Sequence, residues 1–189
     1  MKSIFTLLSL TTIILVSACA PVNPDQLAKE RAKFGTSTQA KVNVTNSSIS
    51  GTWKDTCVLN PADSMYRQDI LEITSNYITS TSNFYSDSKC TISIYSQSLS
   101  GLYLLTDDSL QGVAVITVNN SSTSVLVSTS IVATMFNQQS FCKATDWTSG
   151  HIRLFNDVTV CGIATTSKMN IQRFGTDELY LNAVKYLKQ

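Results

Sequence analysis

From Ile49 to the end of the chain, apolar and polar side chains alternate in short runs. In "ISGTWKDTC", Ile49, Gly51, Trp53 and Cys57 fall on one face while Ser50, Thr52, Lys54 and Thr56 fall on the other, which is the period of a half-buried strand. Runs of the same kind follow at "YRQDILEIT", "NYITSTSNFY", "CTISIYSQ", "SGLYLLTD", "GVAVITVN", "TSVLVSTSIVATMF", "GHIRLFND", "VTVCGIA", "KMNIQRFG" and "ELYLNAVKYL". Between them lie turn signals such as Asn60-Pro61, Ser86-Asp87-Ser88, Asp107-Asp108, Asn119-Asn120 and Gly175-Thr176-Asp177. About eight to eleven short strands with tight connections predict an all-β domain over residues 49–189. It is an antiparallel up-and-down β-barrel or, as the alternative, a β-sandwich, with no long helix inside it. Several strands carry Ser, Thr or charge on both faces, so the lipid-facing band of a membrane-spanning barrel is missing.

The pattern upstream is different. Lys2 is followed by the apolar run from Ile4 to Val16 and by the small residues Ser17-Ala18, the layout of a signal peptide over residues 1–18 and too short for a membrane span. Asn23-Pro24 then reads as the start of a short helix over residues 24–34, "PDQLAKERAKF", ending at Gly35. A polar stretch, "GTSTQAKVNVTNSS", follows and spans at most about 45 Å when extended. Residues 19–48 are thus expected to be an N-terminal segment with a short helix and a tether.

Composition narrows the function classes. The chain holds 14 Lys plus Arg and 13 Asp plus Glu. Removing Lys2 with the signal balances the charges, and no basic stripe suggests nucleic acid. Apart from Cys19 there are four cysteines, Cys57, Cys90, Cys142 and Cys161, an even number in an exported chain, which argues for two disulfides. Three pairings are open; the sequential one, Cys57 with Cys90 and Cys142 with Cys161, is favoured because consecutive strands tend to lie side by side. Zinc would need a C-x-x-C or His-rich spacing, and His151 is the single histidine. A catalytic triad would have to join His151 to a Ser and to an Asp such as Asp146, yet "HIRLF" reads as a strand start. Carboxylates such as Asp69, Glu72, Asp177 and Glu178 have no spacing that fixes a pair, and no glycine-rich phosphate loop is present. The expectation is a non-enzymatic protein with neither metal nor cofactor.

Val16-Ser17-Ala18-Cys19 behind an apolar run resembles the bacterial lipobox. That resemblance implies cleavage between Ala18 and Cys19 and a lipid on the Cys19 thiol, with the membrane as partner through acyl chains such as palmitate. Each buried methylene contributes about 0.8 kcal/mol, so two or three chains hold firmly where one holds marginally. Ala20 stands where an Asp would favour inner-membrane retention, so the resemblance implies the outer membrane.

Gly51-Thr52-Trp53 at the first strand of a meander resembles the Gly-x-Trp signature of lipocalins, and Thr145-Asp146-Trp147 is similar to that family's Thr-Asp-aromatic motif. A late Arg173 completes the set. The resemblance implies that Trp53 and Arg173 are barrel-floor residues in cation–π contact, with the Thr145-Asp146-Trp147 turn at the same closed end. Thr148-Ser149-Gly150 departs from the pattern, as does the absence of a packing helix after Arg173. A barrel of about eight strands holds one small ligand. Ile78, Phe84, Ile92, Ile94, Tyr103, Val113 and Val115 are the candidate lining of a site for a small apolar ligand. Alternatively these residues fill the barrel, and the outer surface serves envelope adhesion, assembly or inhibition.

Overall fold

The computed structural model describes residues 41–61, 63–108 and 113–189; Cys19, the helix expected over residues 24–34 and the start of the polar tether lie outside the described residues. Eleven strands occur among the described residues: β1 (Lys41–Val42), β2 (Gly51–Lys54), β3 (Val58–Asn60), β4 (Met65–Ile73), β5 (Tyr77–Tyr85), β6 (Ser93–Asp108), β7 (Val113–Val127), β8 (Ile152–Phe155), β9 (Thr166–Phe174), β10 (Glu178–Leu181) and β11 (Val184–Lys188). Eight of them, β2-β4-β5-β6-β7-β9-β10-β11, follow one another antiparallel around a closed barrel, and β11 returns to β2 through Leu187↔Lys54 and Lys188↔Trp53. Closure answers the choice between barrel and sandwich in favour of the up-and-down barrel. The short strands β1, β3 and β8 pair onto β9, β4 and β7.

Strand alternation explains the abundance of hydroxyl residues. On the outer face of β5 and β6, Thr79 meets Ser100 at 3.0 Å and Thr81 meets Ser98 at 2.8 Å, cross-strand hydroxyl pairs that stabilise a solvated sheet face. The inner face splits into two apolar layers. The first surrounds Trp53, with Ile49, Leu71, Ile116, Ile171 and Leu179 among the fully buried side chains. The second, at the other end, gathers Val125, Val127, Val132, Phe136 and Trp147. Two disulfides, Cys57–Cys90 and Cys142–Cys161, are the pairs favoured from chain order.

Four sequence expectations change. The run "SIVATMF" is not a strand continuation but the first part of a helix, Ser130–Gln139, which follows a four-residue helical turn, Asn46–Ile49. We label these α2 and α1. Thr129 accepts a hydrogen bond from the Val132 N–H at 3.3 Å, and Val132, Ala133 and Phe136 cover the second layer, so burial on one helical face outweighs β-branched propensity. "VTVCGIA" likewise forms no strand. Asp157 caps a tight 3₁₀ turn at Val158–Cys161, which ends at Gly162 with φ 71°. Asn119-Asn120 lies inside a continuous β7 rather than at a turn. Finally, β1, the buried Val44 and the capping box between Thr45 and Ser48 make residues 41–48 part of the folded body rather than tether. Ile49 is wholly buried at the end of α1, so the apolar anchor of this turn draws the polar stretch onto the barrel.

Candidate functional site

The ladder between β6 and β7 breaks at one place. Ser100 pairs with Ser122 but Gly101 pairs with Asn120, so Ser121 is an extra residue in a β-bulge. From Ala114 on, buried positions on β7 accordingly run 114, 116, 118 and 120 before the bulge and 123, 125 and 127 after it. Asn120 keeps the inward parity of the first half, and the phase change turns Thr123 inward as well. Gly101 permits this approach, because a Cβ there would stand 2.1 Å from the Asn119 carbonyl oxygen.

Asn120 borders a cavity of about 100 Å³ within the barrel, lined also by Leu71, Ile78, Ser80, Leu99, Val118, Ser167, Met169 and Leu181. Its Nδ2 donates to the Ala164 carbonyl at 2.7 Å and to Ser167 Oγ at 2.9 Å. The Ala164 carbonyl accepts only, so it fixes which end of the amide is nitrogen. Oδ1 is then left buried with no hydrogen-bond partner, on a residue only 9% exposed. An unpaired buried acceptor costs about 1–3 kcal/mol, which marks this side chain as unlike the packing around it.

Toward the second apolar layer the inner face becomes charged. Arg67 grips Asp69 with two bonds of 2.8 Å and reaches Ser82 Oγ at 3.0 Å. Asp55, just past β2, accepts the Asp69 backbone N–H at 2.7 Å. Burial and then the neighbouring Asp69 charge push the Asp55 carboxyl up from 3.8 to about 6, despite that hydrogen bond and the Arg67 charge. Burial, and then the charges of Asp69 and Asp55, push the Tyr186 hydroxyl up as well. Asp69, Ser82 and Gln97 share one cross-strand row, so a polar belt separates the two apolar layers. Asp55 and Arg67 escape a sequence search because neither lies in a motif; strand register alone brings them together.

The candidate lining residues scatter. Ile78 borders the cavity. Tyr103 is buried in the first layer, its hydroxyl donating to the Thr74 carbonyl at 2.8 Å. Phe84 stacks on Tyr95 at 4.2 Å under Arg67, and Ile94 packs against the second layer. Ile92 is corrected outright: it is 60% exposed, because the Cys90 turn holds it outside the hairpin. Val115 is also corrected, since it has the opposite parity to the inward Ala114 and Ile116 and belongs to the outer face, whereas Val113 at the start of β7 is buried, 4% exposed, outside the two apolar layers.

The Trp–cation pairing is real but its partners differ from those expected. Trp53 is fully buried and donates from Nε1 to the Ile49 carbonyl at 2.7 Å, while Lys188 Nζ sits 5.5 Å from its ring centroid. Arg173 lies on β9 opposite the buried Leu179 of the same layer, and its guanidinium donates to the Thr176 carbonyl at 3.1 Å. The reason is topological: β11, not β9, is the strand that pairs with β2. Trp147 is not at the Trp53 end. It sits in the second layer, donating from Nε1 to the Phe141 carbonyl at 3.2 Å, with the Arg153 guanidinium 5.1 Å from its ring.

Outside the barrel, an open groove of about 460 Å³ runs beside β8, bordered by Asp146, Trp147, Thr148, His151, Ile152, Arg153 and Leu154. Asp146 binds Arg153 at 2.6 Å, and His151 Nδ1 faces Thr148 Oγ1 at 3.1 Å, so Asp146 and His151 have separate partners. Ile152 and Leu154 are 69% and 64% exposed on this short strand. No protein-family model and no curated protein matches the chain.

Proposed function

We propose that the chain is a lipid-anchored protein of a bacterial envelope that acts by binding rather than by catalysis, with a small-ligand site inside its barrel. The cavity bordered by Asn120 carries this reading: it is central, largely apolar and furnished with a few convergent polar groups, the usual makeup of a ligand site. The two disulfides fit an oxidising compartment, and the Val16-Ser17-Ala18-Cys19 lipobox supplies the anchor. Volume limits the ligand. Pockets for drug-sized ligands span about 300–1,000 Å³, whereas a dry engineered cavity of about 150 Å³ takes benzene. A cavity of about 100 Å³ suits a molecule of that smaller class, not a fatty acid.

Two experiments test it. Metabolic labelling with a radioactive fatty acid should mark the wild-type chain and not Cys19→Ser; equal labelling refutes the anchor. Apolar compounds of about five to seven heavy atoms should include one that raises the melting temperature of the full chain saturably. Ser80→Leu, which fills the cavity, should abolish that rise. A panel with no stabiliser refutes the internal site and favours the second reading, an interaction surface at the β8 groove, for which the exposed Ile152 and Leu154 speak.

A further inference from the structure

We propose that the ligand of the barrel cavity is a short aliphatic molecule ending in a hydrogen-bond donor, such as a primary alcohol, held by donation to Asn120 Oδ1; the proposal rests on the internal-site reading above. Three observations carry it. First, the acceptor is orphaned and cannot turn away. Its amide nitrogen is held by the Ala164 carbonyl and Ser167 Oγ, while the Asn120 backbone N–H is held by the Thr165 carbonyl at 2.8 Å. Rotating the amide would point oxygen at oxygen at Ala164. Second, Asn120 is the last inward position of the first half of β7 and borders the bulge at Ser121, where Gly101 lets the two backbones approach. Bulges of this kind re-aim side chains next to functional sites.

Third, the surroundings sort the ligand into a tail and a head. Leu71, Ile78, Leu99, Val118, Met169 and Leu181 form the apolar lining, with Ser80 the one polar residue besides Asn120 and Ser167, so the bulk of the ligand is hydrocarbon. Ser167 Oγ accepts from Asn120 Nδ2, which leaves its own hydrogen free to donate to the ligand hydroxyl oxygen. A hydroxyl satisfies both groups at once. A carboxylate is disfavoured because it would set a bare negative charge against the Oδ1 lone pairs in an apolar cavity. Water is the competing occupant, since the cavity has room for about three molecules at ~30 Å³ each.

The test uses two isomers of equal heavy-atom count, 1-butanol and diethyl ether, which differ in that only the alcohol donates. Full-length protein labelled with ¹³C at the methionine methyls is titrated by NMR. Met169 reports on the cavity, and Met135, packed in the second layer, is the control. The expected result is a saturable shift confined to Met169, with butanol binding at least tenfold more tightly than ether. Asn120→Leu should erase that preference. Should this variant fail to fold, Ser80→Leu keeps Asn120 and should abolish binding of both isomers. Equal affinity for alcohol and ether overturns the donor-specific proposal while leaving the internal site standing. No Met169 shift with either isomer overturns both and assigns the cavity to water.

Discussion

The Asn119 carbonyl oxygen and the Cα of Gly101 approach so closely across the β6–β7 bulge that a Cβ on Gly101 would lie 2.1 Å from that oxygen. Backbone, not a flexible side chain, occupies the space, so relaxation requires strand separation. Gly101→Ala should therefore destabilise the domain by about 4 kcal/mol or more, among the largest effects for a single methyl group. Equilibrium urea unfolding measures it. A loss below about 1 kcal/mol would mean that the bulge gives way easily.

Asp55 should make stability fall as pH rises toward neutrality. Its folded-state carboxyl titrates near 6 against 3.8 for the free group, so between those values the native state holds a proton that the unfolded chain has released. The contribution is most favourable below pH 3.8, declines through the window and is fully unfavourable above 6. Asp55→Asn keeps an acceptor for the Asp69 N–H and removes the charge. This variant should melt higher than wild type at pH 7.5 and lose that advantage at pH 4. An advantage independent of pH would show that the carboxyl does not titrate in this window.

Lys188, rather than Arg173, should couple energetically to Trp53. An exposed cation over an indole ring contributes about 0.5–1 kcal/mol, and the lysine stem adds contact at Gly51, from whose Cβ position its Cε is 3.2 Å away. A double-mutant cycle of Lys188→Ala with Trp53→Phe should give a coupling of about 0.5 kcal/mol. The cycle with Arg173→Ala should give none, and the reverse outcome would make the arginine the cation that acts on the ring.

The two disulfides should differ in what they hold. Their sequence separations of 33 and 19 residues correspond to similar loop-entropy contributions, about 3–4 kcal/mol each. Location separates them: Cys142–Cys161 ties the turn after α2 to the 3₁₀ turn after β8, around Trp147. Replacing both of these cysteines by Ala should expose residues 140–163 to limited proteolysis and red-shift Trp147 emission. Replacing Cys57 and Cys90 should leave that segment protected.

Much of this protein is legible in residue order because strand alternation is a local property. Period two in "NYITSTSNFY" or "KMNIQRFG" needs only the pleat and a core on one side; the first run contains β5 and the second covers most of β9. The tendency of consecutive strands to lie side by side likewise led from chain order to the observed disulfides. Where the local pattern was ambiguous, burial decided: "SIVATMF" has strand propensity, yet a Thr129 cap and an apolar layer beneath it select the helix. Closure was beyond the local pattern altogether. Which strand meets β2 depends on the whole circuit of the barrel, and that circuit put Lys188 over Trp53 and left Arg173 on β9. The cavity is likewise a tertiary product. Asn119-Asn120 reads locally as a turn, and only the pairing of β7 with β6 carries the strand through it and sets an unpaired amide oxygen inside an apolar barrel.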